Sequence, residues 1–222
     1  MEFSEVLKNR HATRFFKSQP IKISDVEEII KDAQTAPSWL NAQERKVYVA
    51  TDDKAKIIKM QFQARARSDM IGVSDFTAVH RTDWSETAQA NMQKFSRDIE
   101  KFLGDKFADY VNSQDNLFNA PTFVYLTLPK NPSRWAILDL GAFAQTLLLS
   151  AASRGIGSII AYAIIKYPDI IRKHLPIFED EEISIGIALG YEDTTQIINQ
   201  FRAGRVPLEN ILVEKHNFYE NV

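Results

Sequence analysis

The chain has 222 residues, 45% apolar and 25% charged, with 27 Lys+Arg against 29 Asp+Glu. That composition excludes a disordered polymer, and the near balance of charge argues against a general polyanion binder. Cysteine is absent, which excludes disulfides, thiolate nucleophiles and Cys-ligated metal centres.

One domain is expected, burying roughly 70–75% of its unfolded surface. Met1 to Glu5 is acidic and lacks the basic and apolar regions of a signal peptide, so a cytoplasmic protein is the default expectation. Phe3, Val6 and Leu7 predict a helix over 2–9. Ser24 with Glu27 forms a capping-box pattern ahead of Val26, Ile29, Ile30 and Ala33, one helical face that ends before Pro37. Lys46 to Thr51 alternates like a strand, and Asp53 opens a short helix through Phe62. Ser85 to Leu103 carries an amphipathic stripe of Ala88, Met92, Phe95, Ile99 and Phe102. Pro121 to Leu128 reads as a buried strand. Ser133 caps a helix running to Arg154, with Gly155 at its C′ position. That helix is apolar nearly all round, which puts it at the centre of the fold or at a subunit interface. Asp139 and Gln145 make its Trp135 to Ala152 stretch a poor membrane span. Gly157 to Ile164 is a further apolar strand, Pro168 opens a helix with Ile170, Ile171 and Leu175 inward, and Ile183 to Leu189 is a strand ended by Gly190. The last thirty residues lack a helical period yet hold Phe201, Leu208, Ile211, Leu212, Val213, Phe218 and Tyr219, an apolar tail for which a partner subunit offers a surface. Four strands and six or seven helices predict a sheet covered by helices on both faces.

Common catalytic signatures are missing. Gly155-Ile156-Gly157 follows a helix and precedes a strand, the reverse of a dinucleotide turn, and four scattered His offer no metal site. Two segments stand out by charge. Lys8 to Lys17 holds Lys8, Arg10, Arg14 and Lys17 with no acid, and Thr194 to Leu208 holds Arg202 and Arg205 with no acid. Charge alone leaves two readings open: solvated loop tips, or two islands closing on one phosphate, which the planar Arg fork grips well. Ala36-Pro37-Ser38-Trp39-Leu40-Asn41-Ala42-Gln43 follows a helix stop. Its polar residues either bind a planar polar heterocycle or stabilise the helix exit themselves.

Taken together, these segments resemble the FMN-dependent nitroreductase family, in particular its nitrobenzoate-reductase-like branch. The N-terminal pattern is Arg10-His11-Ala12-Thr13-Arg14-Phe15-Phe16 through Pro20-Ile21, and the second is Ala36 to Gln43. Asp139, Gly141, Gln145, Leu147, Leu149 and Ala151, followed by Gly155-Ile156-Gly157, form the third. Ala188-Leu189-Gly190-Tyr191 and Phe201-Arg202-Ala203-Gly204-Arg205-Val206-Pro207 close the series.

The resemblance implies an α+β fold with three α/β/α layers around a mixed, mainly antiparallel sheet. It implies an intertwined homodimer in which the single domain 1–222 docks about 191–222 on its partner. It implies FMN as cofactor, NAD(P)H as co-substrate and a small-molecule electron acceptor, with no nucleic-acid, membrane or metal partner. Arg10, His11, Ala12 and Arg14 would contact FMN, with Arg10 and Arg205 on its phosphate, Arg202 close by, and Arg14 toward the N1/C2-carbonyl side. Pro37 would also bind the cofactor, Ser38 and Asn41 would come from the partner, and Ile160-Ala161-Tyr162-Ala163 would lie against the other side of the ring. A cation near N1 favours reduced flavin. The implied reaction is ping-pong, with a hydride passing from NAD(P)H to flavin N5 and then to a nitroaromatic, quinone or related acceptor. No side-chain nucleophile is required. Three departures stand out: Ala12 replaces the usual Ser, Glu44-Arg45 replaces Pro-Trp, and Tyr162 lies where some members carry Glu. Residues 63–120 match no motif; Phe76, Trp84, Met92 and Phe95 are candidates for a substrate pocket or for plain packing. The other readings are a flavin-binding storage or sensor protein without turnover, and a flavin-free interaction protein.

Overall fold

The computed structural model describes residues 2–68 and 70–213. Among these residues a four-stranded sheet runs in the order β1-β2-β4-β3, where β1 is Lys46–Ala50, β2 Thr122–Pro129, β3 Gly157–Ile160 and β4 Glu181–Gly190. All three strand pairs are antiparallel. A parallel element enters only through an isolated bridge between Ala12 and Ser158.

The central strand β2 explains the layering. Phe123 and Tyr125 point to one face, against Ala55, Ile58 and Phe62 of α3 (Asp52–Ala66) and Ile170 and Ile171 of α7 (Pro168–His174). Val124, Leu126 and Leu128 point to the other, against Val26, Ile29 and Ala33 of α2 (Ile23–Ala33) and Leu140, Phe143 and Leu147 of α6 (Arg134–Ser153). A strand buried on both faces reads as a continuous apolar run, and each such side chain contributes roughly 1.5–3 kcal/mol. A bulge in β4 skips Ser184 opposite Leu126 and Thr127, which turns Ile183 to the α3/α7 side while Ile185 and Ile187 stay on the α2/α6 side. Outside these layers α4 (Glu86–Leu103) packs Ile99 and Leu103 on Ile198 and Phe201, and α5 (Phe107–Asp115) adds Phe107 and Tyr110 to the same cluster. The short α1 (Phe3–Asn9) leads into the first basic segment.

The caps follow the sequence only in part. Ser133 accepts from the Ala136 N–H at 3.0 Å, and Gly155 has φ +70 at the end of α6. The Ser24 capping box does not form: α2 begins at Ile23 with Lys22 in the cap position and no side-chain cap bond. Ile21, buried just before the helix, draws the chain inward early. The strand expected to reach Ile164 stops at Ile160, and Tyr162–Ile164 turns as a single 3-10 helix.

α6 has the length and mean hydropathy, 1.4, of a membrane-crossing helix. Its Leu140, Phe143, Ala144 and Leu147 are buried in the core, while Trp135, Ile137 and Leu138 remain on an exposed stripe.

Candidate functional site

The N-terminal basic segment is laid along β3. Thr13 N–H donates to the Ser158 carbonyl at 3.0 Å, next to the Ala12–Ser158 bridge. Approach this close requires Gly157, because a Cβ there would stand 2.6 Å from Thr13 Oγ1. Lys8, Arg10, His11 and Thr13 then line a cleft of about 330 Å³ with Ala152 at the end of α6, Gly155 to Ser158, Glu192 and Arg202.

The electrostatics of this corner are one-sided. Arg10 lies close enough to Arg205 for the like charge, after burial, to lower its pKa. Arg14, 7% exposed, is lowered by burial and by Arg202 and supported by Tyr110. Its guanidinium donates to the Ala12 carbonyl at 3.1 Å and sits 5.6 Å from the Phe201 ring centre and 6.0 Å from that of Phe95. Arg202 Nη1 donates to the Asn199 and Phe201 carbonyls, and Arg205 Nη1 to those of Ala203 and Gly204. Among the described residues no carboxylate forms an ion pair with any of these four arginines. The nearby acid, Glu192, faces His11 Nε2 at 3.1 Å instead. Arg14 is buried, Arg10 partly covered, and Arg202 and Arg205 exposed, so this corner offers an anion charge-assisted contacts at its rim.

Asn199 joins the two basic segments, and nothing in its sequence context singled it out. It is 1% exposed. Its Oδ1 accepts from the backbone N–H of Arg14 at 2.8 Å and of Phe15 at 3.2 Å. Its Nδ2 donates to the carbonyls of Phe15 at 2.7 Å and Asp193 at 3.0 Å.

The Pro37 to Gln43 segment lies elsewhere. Leu40, Asn41 and Gln43 take positive φ, and Gln43 N–H donates to Ser38 Oγ while Gln43 Nε2 donates to Asn41 Oδ1. Trp39 N–H donates to Asp139 and its ring stacks on Trp135 at 4.4 Å, at the opposite end of α6 from the basic cleft. From Trp135 to Ala152 an α-helix rises about 25 Å. The structure thus brings together Arg10, His11, Ala12, Arg14, Arg202 and Arg205, and it separates Pro37, Ser38 and Asn41 from them within one chain. At the end of β3, Ile160 and Tyr162 are half exposed, Ala161 is partly covered and Ala163 is buried. Tyr162 OH donates to the Gly72 carbonyl at 3.3 Å.

The nitroreductase family description matches residues 7–191, 83% of the chain. The chain belongs to the nitroreductase family. A 4-nitrobenzoate reductase of Pseudomonas putida is 28% identical over 219 residues, covering 92% of this chain and 91% of that protein. Another, of Nocardioides sp. (strain LMS-CY), is 28% identical over 217 residues, covering 93% and 87%. The crystal structure of the FMN-dependent nitroreductase NfnB from Mycobacterium smegmatis in complex with NADPH has a TM-score of 0.87 and 23% identity, covering 96% of this chain and 97% of that one. The nitroreductase fold expected from the sequence is therefore the fold observed.

The other nitroreductase candidates fall in different surroundings. Phe95 packs edge-on against Phe201, beside Arg14. Trp84 is exposed, and Phe76 and Met92 are partly covered. Leu208, Ile211, Leu212 and Val213 are exposed; Phe218 and Tyr219 lie outside the described residues. Among the described residues no group of three or more His, Asp or Glu could hold a metal ion.

Proposed function

We propose that this nitroreductase uses FMN to carry hydride from NAD(P)H to nitroaromatics, quinones or similar electron-poor acceptors in alternating half-reactions. The observation that carries the reading is the arginine corner: Arg10 and Arg202 line one cleft, Arg205 stands near Arg10 and Arg14 near Arg202, and among the described residues none of the four forms an ion pair with a carboxylate. It fits the doubly charged phosphate of FMN, with Arg10 and Arg205 gripping it and Arg202 beside it. His11 and the Ala12 backbone line the same edge, and Arg14 would favour negative charge on the pyrimidine side of the ring. Ile160-Ala161-Tyr162-Ala163 would flank the ring. Bound FMN would supply the hydride relay, so the chain's residues need only bind, orient and bias charge.

The second half of the site would come from a partner copy, with Pro37, Ser38 and Asn41 reaching across a homodimer interface. The exposed stripe of Trp135, Ile137 and Leu138 with Trp39 and Leu40 supports that assembly. So do Leu208, Ile211, Leu212 and Val213 at the far end of the described chain, which would dock there as part of a 191–222 extension of one domain. A cytoplasmic enzyme fits the use of NAD(P)H.

The test is direct. Purified protein reconstituted with FMN is mixed anaerobically with NADH or NADPH, then with a nitroaromatic or a quinone. Bleaching of the yellow flavin by a nicotinamide and its return with acceptor are expected. Flavin that stays oxidised with both nicotinamides would overturn the enzyme reading and leave a storage or sensor protein.

A further inference from the structure

The two basic segments come from opposite ends of the chain, and each is irregular. A phosphate held by arginines from both needs their spacing fixed, because a displacement of about 1 Å weakens bidentate contacts severely. Regular structure provides little of that spacing here: isolated bridges tie Ala12 to β3 and Phe16 to Glu192, backbone bonds link Lys17 to Tyr191 and Asp193 to Phe15, and beyond Asp193 the stretch leading to Arg202 and Arg205 holds a single 3-10 turn, Ile197–Gln200. We propose that Asn199 is the positioning residue that sets the distance between the arginines of the two segments. The inference rests on the phosphate reading of the arginine corner.

Three features carry it. The Asn199 side chain uses all four of its hydrogen-bonding positions on backbone groups, three of them on Arg14 and Phe15 and one on Asp193. Its own carbonyl accepts from Arg202 Nη1 at 2.6 Å, so one residue touches the backbone of Arg14 and the guanidinium of Arg202. It is buried, hence shielded from competing water. The amide is the only neutral side-chain group that offers two acceptor and two donor positions at this length. Aspartate would face the Phe15 and Asp193 carbonyls with a negative charge, and leucine would leave the Arg14 and Phe15 N–H groups unpaired, since the two carbonyls also accept from the Asp193 and Gln196 N–H groups.

The experiment compares two ligands that differ only in the phosphate. Affinities of wild type, Asn199→Ala and Asn199→Ser for FMN and for riboflavin are read by flavin fluorescence titration. Positioning predicts that Asn199→Ala loses about 10–100-fold in FMN affinity while riboflavin affinity stays within about twofold. Equal losses for both flavins would show a merely structural role and overturn the proposal, and so would unchanged FMN affinity. Asn199→Ser keeps one hydroxyl at this position, a milder change than alanine. If the alanine variant fails to fold, the same drop in the FMN-to-riboflavin ratio in the serine variant supports the proposal, and a wild-type ratio overturns it. Wild-type protein that binds riboflavin as tightly as FMN would sink the phosphate reading itself, a result distinct from any effect of Asn199.

Discussion

Gly157→Ala tests the close approach on which the basic corner is built. Gly157 lacks a left-handed φ, so alanine would on backbone grounds gain about 0.4–1 kcal/mol by restricting the unfolded chain. The added Cβ, however, would meet Thr13 Oγ1 at 2.6 Å, Cβ at 3.1 Å and Cγ2 at 3.1 Å. Thr13 has little room to yield, being 1% exposed and tied to Ser158 through its N–H. Overpacking of this kind costs about 1–3 kcal/mol, so the net expectation is a loss of about 1–2 kcal/mol. Thr13→Ala removes the two atoms beyond Cβ. Alone it should cost about 1 kcal/mol for one buried methyl, with no hydrogen bond lost, since among the described residues the Thr13 hydroxyl has no partner. In that background Gly157→Ala should cost under about 0.5 kcal/mol, giving a coupling of about 1 kcal/mol in a double-mutant cycle. Urea unfolding with unchanged slope reads these differences. An equal penalty in both backgrounds, or Gly157→Ala as stable as its parent, would refute the steric reasoning.

Arg205→Ala should lower FMN affinity about 10–100-fold, the loss of one charge-assisted contact, while stability moves by no more than about 0.5 kcal/mol because the side chain is exposed; a fluorescence titration and a urea melt check the pair. Leu138→Asp, 62% exposed on α6, should convert a dimer to monomer in light scattering without unfolding the protomer, and a dimer of unchanged mass would place the interface elsewhere. Glu181 should carry an acid-sensitive share of stability. Burial pushes its carboxyl up, but hydrogen bonds from Lys46, Thr127 and Tyr48 outweigh that and hold it below 4.5. A depressed carboxylate stabilises above its unfolded pKa and loses the effect as pH falls through the folded one. The stability gap between wild type and Glu181→Gln should therefore shrink below about pH 4.5, and a gap independent of pH would count against the network.

Regular elements were legible where periodicity was strong and chain ends were punctuated. β2, α4 and α6 lie within a residue or two of their expected bounds. The misreadings share a cause. Ala163, Ile164 and Ile165 continue the apolar run of β3, so the run looked like one strand. They turn instead and bury beneath β4, where Gly186 leaves the space: a Cβ there would lie 2.7 Å from both Ile164 and Ile165. Periodicity cannot tell a buried turn from a buried strand. α5 was missed because its nine residues include only three large apolar side chains, Phe107, Tyr110 and Val111. Of the site, the charged residues could be read because unpaired cations are conspicuous in a sequence. Asn199 could not, since a buried amide satisfied by distant backbone leaves no local pattern.

The separation of the site's two halves is itself an argument about assembly. The Ser38 loop is pinned to the first turn of α6 by the Trp39–Trp135 stack and the bond from Trp39 N–H to Asp139. The basic corner abuts the last turn of the same helix at Ala152. A rigid helix holds them about 25 Å apart, beyond the span of one isoalloxazine, so no loop movement within a chain brings both to one ring. An antiparallel pairing of two α6 helices through their exposed stripes would set the first turn of one beside the last turn of the other. That arrangement supplies Ser38 and Asn41 to the partner's arginines twice, once at each end. It follows that Leu138→Asp should weaken FMN binding in step with dissociation, although Leu138 lies far along the helix from the phosphate corner. A monomeric variant that retained wild-type FMN affinity would show that one chain suffices, and would leave the Ala36 to Gln43 segment with no role beyond closing its own helix.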